Sequence, residues 1–145
     1  MQQLPGVIPP LYDEPFVALD LETTGLDSNR HQILEIGAVR FRGDEVIETY
    51  QTLVNPGVPI PEFIQRLPHI PPQQVKRAPF FSSVASEIEE FLGADPIIGH
   101  NIQFDIGFLA SNGVSLSNPS YDTWDLASVF MPQSRQYSLK YLTAH

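Results

Sequence analysis

The sequence predicts an α/β fold, a mixed sheet that opens with a three-stranded antiparallel meander and continues as α/β units with helices on the sheet faces. Three observations predict it. The first part of the chain holds three strand-like runs, and the last two are joined by a two-residue turn signal, Gly43-Asp44. The second part alternates short apolar runs with segments of helical periodicity. The 145 residues are 42% apolar, which is enough for one domain with its own core.

The first half of the chain is predicted to supply the meander. Residues 15–21 form an apolar run that is typical of a strand buried on both faces, and such a strand lies centrally in a sheet. Residues 33–42 and 45–54 are predicted as the next two strands. Residues 1–14 are rich in proline and are expected to form an extended arm, so that the domain itself spans residues 15–145.

Residues 55–79 contain seven of the fourteen prolines. Because proline cannot donate a ladder hydrogen bond, we expect no strand here and at most a short helical turn over residues 62–67. A long irregular segment in a compact domain is usually a linker or the rim of a functional site. We favour a rim, because strong signals for regular structure resume directly afterwards.

The second half is predicted to alternate helices with short strands. The first helix would begin at Ser82 or Ser83 and end at Gly93, because polar caps and glycine are typical of helix ends. It would bury one apolar stripe, consisting of Val84, Ile88, Phe91 and Leu92. The predicted elements that follow are a strand at 96–99, a helix from the cap Asn101 to Asn112-Gly113, a strand at 120–123, a helix from the cap Thr123 to residue 130, and a last helix at 139–142 capped by Ser138.

Composition narrows the class of protein. The formal net charge is −9 with only eight Lys and Arg, which argues against an extended grip on the backbone of a long duplex. An enzyme that holds a few nucleotides remains compatible, since bound metal ions would neutralise carboxylates. The absence of cysteine excludes disulfides and thiolate metal sites. No apolar run approaches the length of a membrane span and no signal peptide is evident, so we expect a cytoplasmic protein without a membrane partner.

Two acids stand two residues apart near the end of the first predicted strand, Asp20 and Glu22. Side chains with this spacing point to the same face of a strand. Two neighbouring carboxylates repel each other unless a cation lies between them. Oxygen ligands favour a hard ion, Mg²⁺ or Mn²⁺. The alternative is a solvated surface pair without a metal, which is common for such spacing.

A third acid, Asp105, is predicted in the first turn of the helix that begins after Asn101. It could simply complement the dipole of this helix. A parallel strand at 96–99 beside the first strand would, however, bring Asp105 close to Asp20 and Glu22, because open α/β sheets collect ligands at the carboxyl ends of their strands. Three converging carboxylates would then form a metal site.

Five segments occur in the order and spacing of a known family: DLETTG at 20–25, ILEIGAV at 33–39, GHNIQFD at 99–105, YDTWDLA at 121–127 and SLKYL at 138–142. With these segments the chain resembles the DEDD (DnaQ-like) 3′→5′ exonucleases over residues 15–145. The resemblance implies a ribonuclease H-like fold, two divalent metal ions, Mg²⁺ or Mn²⁺, and hydrolysis of the 3′-terminal phosphodiester of DNA or RNA to nucleoside monophosphates.

The resemblance also implies roles for the three acids. Asp20 would bridge both metal ions, Glu22 would bind the ion that activates water, and Asp105 would support the other ion directly or through water. The resemblance further implies that the protein acts on single-stranded 3′ ends of DNA or RNA, in replication or repair.

Further residues would contact the substrate by the same resemblance. Thr23, Thr24 and Gly25 would line the path of the terminal nucleotide through backbone groups, with Asn101 as a further substrate-binding residue. Gly25 could equally be a plain turn residue, and Phe104 is expected in the core rather than as a platform for base stacking.

The sequence departs from the family at its third motif. That motif supplies a fourth carboxylate and a general base, His or Tyr, on a helix beyond residues 138–142, and His145 comes too early to be that base. We therefore expect a C-terminally incomplete domain that is weakly active or inactive alone. Residues 71–74 also differ from the Thr-Gly-Ile turn that the family often has. Two alternatives stay open: a non-catalytic module that docks on nucleic-acid ends or proteins, and the exonuclease part of a larger helicase or polymerase, fused or associated.

Overall fold

The computed structural model describes residues 13–67 and 69–144. The arm predicted at residues 1–14 falls almost entirely outside the described residues. At the centre of the fold lies a five-stranded sheet with the strand order β3-β2-β1-β4-β5. Its strands are β1 (Phe16–Thr23), β2 (Ile33–Arg42), β3 (Glu45–Leu53), β4 (Ile97–Gly99) and β5 (Ser120–Asp122).

The pairing of these strands confirms the predicted mixed sheet. β1, β2 and β3 form an antiparallel meander, while β4 runs parallel to β1 and β5 runs parallel to β4. β1 is central, as its apolar sequence predicted. Because β1, β4 and β5 are parallel, their carboxyl ends meet at one edge of the sheet, where ligands collect in open α/β folds.

Six helices accompany the sheet in the described residues: α1 (Glu62–Gln65), α2 (Pro72–Arg77), α3 (Phe81–Leu92), α4 (Ile102–Ser111), α5 (Thr123–Phe130) and α6 (Leu139–Leu142). The prediction of at most one helical turn between residues 55 and 79 is wrong, because α2 is a second helix there. Pro72 is its first residue, a position where the missing N–H costs nothing and the fixed φ favours the helix. None of the described helices is long and apolar enough to cross a membrane.

Four predicted helix caps differ from the structure. Ser138 stands at the predicted N-cap position of α6, but its side chain makes no capping hydrogen bond. α3 begins after Phe80, so Ser82 and Ser83 lie within its first turn and do not cap it. The side chain of Asp122, rather than that of Thr123, caps α5 by accepting the N–H of Trp124. Asn101 stands at the predicted N-cap position of α4, but its side chain makes no capping hydrogen bond. In the last two cases Asp122 does the capping, as described below.

One face of the sheet is covered by α3 and α4. Val17, Leu19 and Leu21 of β1 are at most 5% exposed and form the core there with the predicted stripe of α3. A second apolar cluster fixes the proline-rich segment to the sheet beside β2, and its buried members are Leu34, Ile60, Ile64, Ile70 and Val75. The segment thus packs as an ordered wall next to the end of β1.

The opposite face of the sheet is largely open. Phe16 and Ala18 are only half-buried, so the expectation that β1 is buried on both faces is wrong on this side. A groove of about 740 Å³ runs along this face, with Ala18, Ile98 and Leu139 among its lining residues and Asp20 in its wall. The apolar sequence of β1 did not distinguish the packed face from this open one.

Candidate active site

β1 places two acids on the open face of the sheet. Leu19 and Leu21 are 3% and 5% exposed on the core side, so Asp20 and Glu22 project to the other side. In the antiparallel register with β2, Asp20 lies opposite Gly37 and Glu22 lies opposite Glu35. The predicted shared face of Asp20 and Glu22 is thereby confirmed, and Gly37 leaves room beside Asp20.

Asp105 reaches the same part of β1 from α4. Its side chain is only 3% exposed, and its Oδ1 accepts the backbone N–H of Leu21 at 2.9 Å. Leu21 is the residue between Asp20 and Glu22, so the third acid is bonded to the backbone of β1 between the first two. This contact needs the parallel pairing of β4 with β1, which places the start of α4 at the end of β1.

Burial and charge repulsion raise the pKa of two of the three acids, Asp105 and Asp20. Burial raises the pKa of Asp105 to about 7, and the charges of Asp20 and Asp122 act in the same direction, against the stabilising N–H of Leu21. The pKa of Asp20 is also raised, mainly by burial and next by the charge of Glu35, while His69 partly offsets this. A cation would relieve both carboxylates.

The donor set therefore fits a hard divalent cation, because its members are carboxylates that lack a buried counter-charge. Within residues 13–67 and 69–144, no three Asp, Glu or His side chains form a group that could hold a metal ion. The assignment of Asp20, Glu22 and Asp105 as ligands stays a prediction.

Three polar residues near the acids were not foreseen from the sequence. A small cavity of about 250 Å³ is lined by Asp20 and Glu22 together with Glu35, Gln51 and His69. Glu35 is 9% exposed and accepts a hydrogen bond from Gln51 Nε2 at 2.6 Å. Glu35 lies in the segment ILEIGAV, and its place opposite Glu22 depends on the register of β2 with β1, which the turn signal Gly43-Asp44 between β2 and β3 does not determine.

His69 comes from the proline-rich wall. Its Nε2 lies 3.5 Å from Oε1 of Glu22, at the mouth of the cavity. This contact supports the interpretation of residues 55–79 as the rim of a site. No sequence pattern pointed to His69 itself, because its position depends on the packing of Ile64, Ile70 and Val75 against the sheet.

The turn after β1 is tightly built. Thr23 and Thr24 are buried, Thr23 Oγ1 donates to the carbonyl of Gly25 at 2.6 Å, and Thr24 Oγ1 accepts the N–H of Gln32 at 2.9 Å. The N–H of Thr24 donates to Gln32 O. A Cβ at Gly25 would collide with the ring of His31. These contacts give all three residues a structural role, and their predicted contact with a nucleotide stays a prediction.

The two remaining predicted residues lie on or beside α4. Asn101 is exposed directly before α4, with a left-handed backbone, φ 58° and ψ 47°. Its role in substrate binding stays a prediction. Phe104 packs against Phe108, with ring centroids 4.8 Å apart, and against the main core, which confirms its predicted place there.

Comparison with known proteins gives a consistent result. The family model described as exonuclease (RNase T) matches residues 17–145. The chain is 35% identical over 138 residues to the PolC-type DNA polymerase III of Clostridium perfringens, which covers 92% of this chain and 10% of that protein. It is 36% identical over 135 residues to the DNA polymerase III subunit epsilon of Aquifex aeolicus, which covers 90% of this chain and 67% of that protein.

A solved structure agrees in fold. Exonuclease X in complex with 5′ overhanging duplex DNA superposes with a TM-score of 0.71 at 25% identity, covering 88% of this chain and 70% of that chain. The chain spans only about a tenth of the length of the PolC-type relatives. The strand order, the motifs and the match over nearly the whole chain lead to one conclusion: this chain belongs to the RNase T exonuclease family of DnaQ-like exonucleases, with a ribonuclease H-like fold.

Proposed function

We propose that this chain is a metal-dependent 3′→5′ exonuclease domain that hydrolyses the 3′-terminal phosphodiester of DNA to release nucleoside monophosphates. The observation that carries the proposal is the buried carboxylate of Asp105, which is bonded to the N–H of Leu21 between Asp20 and Glu22. Burying an acid beside another acid lowers the stability of the folded protein, and acids in such surroundings cluster at functional sites. Family membership supplies the reaction type.

Asp20, Glu22 and Asp105 would hold two divalent ions, Mg²⁺ or Mn²⁺. When bound, such ions orient the phosphate, supply hydroxide at neutral pH and neutralise the charge on the leaving oxygen. The residues of this chain prepare the site for them. Asp20, on the central strand, faces both the groove and the small cavity. The Leu21 N–H holds Oδ1 of Asp105 at the end of β1, where the carboxylate would bind an ion.

DNA is the substrate we favour over RNA, because the relatives are subunits or types of DNA polymerase III and the solved neighbour was bound to DNA. In the PolC-type relatives the matching region is about a tenth of a longer polymerase. We therefore propose that this domain works on 3′ ends in replication, with a polymerase as a fused or associated partner. The bacterial cytoplasm is the location that fits such relatives.

The test is digestion of a 5′-labelled single-stranded DNA oligonucleotide, with an RNA of the same sequence as the comparison. Reactions contain Mn²⁺ or EDTA, and the proteins are the wild type, Asp20→Asn and Asp125→Asn. Asp125 is a matched control, because it is exposed on α5 and no hydrogen bond of its side chain is found in the described part of the chain. We expect a ladder that shortens from the 3′ end, with EDTA and Asp20→Asn abolishing it.

A general base of the kind that the family's third motif supplies contributes about 10²–10⁴-fold, so slow cleavage by the 145-residue chain alone would still support the proposal. Cleavage that Asp20→Asn and EDTA leave unchanged would overturn the proposal, and so would absence of cleavage by a chain that is extended at its C-terminus. Equal binding of 3′ ends by the wild type and Asp20→Asn, without cleavage, would instead establish a docking module.

A further inference from the structure

The beginning of α4 is unusual, and it determines where Asp105 lies. Asp105 is in the first turn of this helix, so its position relative to β1 depends on how the helix starts. Asn101, just before the helix, is the one non-glycine residue with positive φ among the described residues. This left-handed conformation is unfavourable for residues with a Cβ, and the Asn101 side chain makes no capping bond in return.

Asp122, the last residue of β5, supplies the missing cap of α4. At the end of β5, Asp122 Oδ1 accepts the N–H of Asn101 at 2.9 Å, and Asp122 Oδ2 accepts the N–H of Ile102 at 3.1 Å. Asp122 Oδ1 also accepts the N–H of Trp124 at 2.8 Å, which starts α5. One carboxylate thus satisfies three backbone donors on two helices, a task that α4 would normally leave to its own N-cap side chain.

The adjoining residues hold the same junction. Gly99 pairs with Asp122 in the parallel register, and Thr123 Oγ1 donates to the carbonyl of Gly99 at 3.2 Å. A Cβ at Gly99 would lie only 2.8 Å from the carbonyl oxygen of Leu19, so this junction is pressed against β1 next to Asp20. A displacement of residues 99–102 would therefore move Asp105 relative to the acids of β1.

We propose that Asp122 is a positioning residue of the active site: by capping α4 and holding Asn101 left-handed, it keeps the Asp105 carboxylate on the Leu21 N–H, in place for the metal ions. Asp122 itself would touch neither metal nor substrate. The metal part of this inference rests on the proposed function, whereas the position of Asp105 does not. Asp122→Ala should free the start of α4, loosen the bond from Leu21 to Asp105 and weaken metal binding.

The test measures two quantities on the whole 145-residue chain. The first is the hydrogen-exchange protection of the Leu21 amide, with the Ile88 amide inside α3 as the internal reference. The second is Mn²⁺ affinity by isothermal titration. The proteins are the wild type, Asp122→Ala, the matched control Asp125→Ala, which removes the same charge from the same region, and Asp122→Ala combined with Asn101→Gly.

We expect Asp122→Ala to lose protection at Leu21 but not at Ile88 and to bind Mn²⁺ at least about tenfold more weakly, as is typical when a supporting partner of a metal ligand is removed. Asp125→Ala should match the wild type. Asn101→Gly should restore part of both losses in the Asp122→Ala background, because glycine adopts positive φ without the cost of a Cβ. The Ile88 amide distinguishes this outcome from a plain loss of stability, which would lower protection at both amides.

Several results would overturn the inference. Asp122→Ala could keep Leu21 protection and Mn²⁺ affinity, or it could lose protection equally at Leu21 and Ile88. If Asp122→Ala does not fold, Asp122→Asn decides by the same readouts. The Oδ1 of asparagine can still accept the N–H groups of Asn101 and Trp124, whereas its NH₂ group cannot accept the N–H of Ile102. Failure of the wild type to bind Mn²⁺ would contradict the proposed function, while Leu21 protection would still decide the role of Asp122.

Discussion

Replacing Asp105 by Asn should make the metal-free protein more stable at neutral and alkaline pH. The Asp105 side chain is 3% exposed, and its charge faces the charges of Asp20 and Asp122. Asparagine removes the buried charge, and its Oδ1 can still accept the N–H of Leu21. The variant therefore keeps the hydrogen bond and loses the repulsion.

The magnitude follows from the pKa of Asp105, which rises from 3.8 to about 7 on folding. A raised carboxyl pKa favours the folded state below pH 3.8, and this advantage is lost as the pH rises through about 7. Each unit corresponds to about 1.4 kcal/mol, so the raised pKa of Asp105 costs up to about 4 kcal/mol at pH 8, where the folded carboxyl is ionised. At pH 5 it costs about 2 kcal/mol, because the unfolded carboxyl is ionised and must take up a proton on folding. Asparagine does not titrate and avoids this cost.

The assay is urea unfolding of the wild type and Asp105→Asn in EDTA at several pH values from 5 to 9, with Asp125→Asn as the exposed control. The stabilisation by Asp105→Asn should grow from pH 5 to about pH 7 and then stay constant. Asp125→Asn should remain within about 0.5 kcal/mol of the wild type. A destabilised Asp105→Asn protein, or a gain that is the same at pH 5 and pH 8, would refute the reasoning.

Three further predictions follow from the same structure. Mn²⁺ at a hundredfold excess over its Kd should stabilise the wild type by about 2.7 kcal/mol and leave the stability of Asp20→Asn almost unchanged, as thermal melts with and without EDTA would show; equal shifts would contradict the site. Gly25→Ala should cost about 1–3 kcal/mol because its Cβ meets the ring of His31, and Gly25→Ala with His31→Ala should cost less than the sum of the two; additive losses in urea unfolding would contradict this contact. Ile88→Ala should cost about 2–5 kcal/mol by the same measurement, since Ile88 is fully buried in α3, and a loss below about 1 kcal/mol would be incompatible with that packing.

The sequence predicted the parts of the site that depend on local periodicity. Asp20 and Glu22 share a face because side chains alternate along a strand, and this holds wherever the strand lies. Asp105 was predicted near them from the parallel placement of β4, a general property of α/β folds. The contact of Asp105 with the N–H of Leu21 adds an atomic detail that no spacing contains.

Other parts of the site depend on contacts between distant residues, and the sequence did not reveal them. His69 reaches Glu22 because an apolar cluster fixes the proline-rich wall, and proline content alone indicated only an irregular segment. Asp122 caps α5 locally by accepting the N–H of Trp124, yet it caps α4 as well, across 20 residues of sequence. The predicted caps Asn101 and Thr123 are usual capping residue types, but neither side chain makes the capping bond, because Asp122 accepts the N–H groups at the start of both helices.

The central claim is that Asp20, Glu22 and Asp105 hold divalent metal ions at the end of β1. The most direct measurement is an anomalous difference map from crystals of the protein grown with MnCl₂. The account predicts manganese peaks, two when the site is full, at the carboxylates of Asp20, Glu22 and Asp105. Manganese bound elsewhere, or no peak at these carboxylates at saturating Mn²⁺, would contradict it.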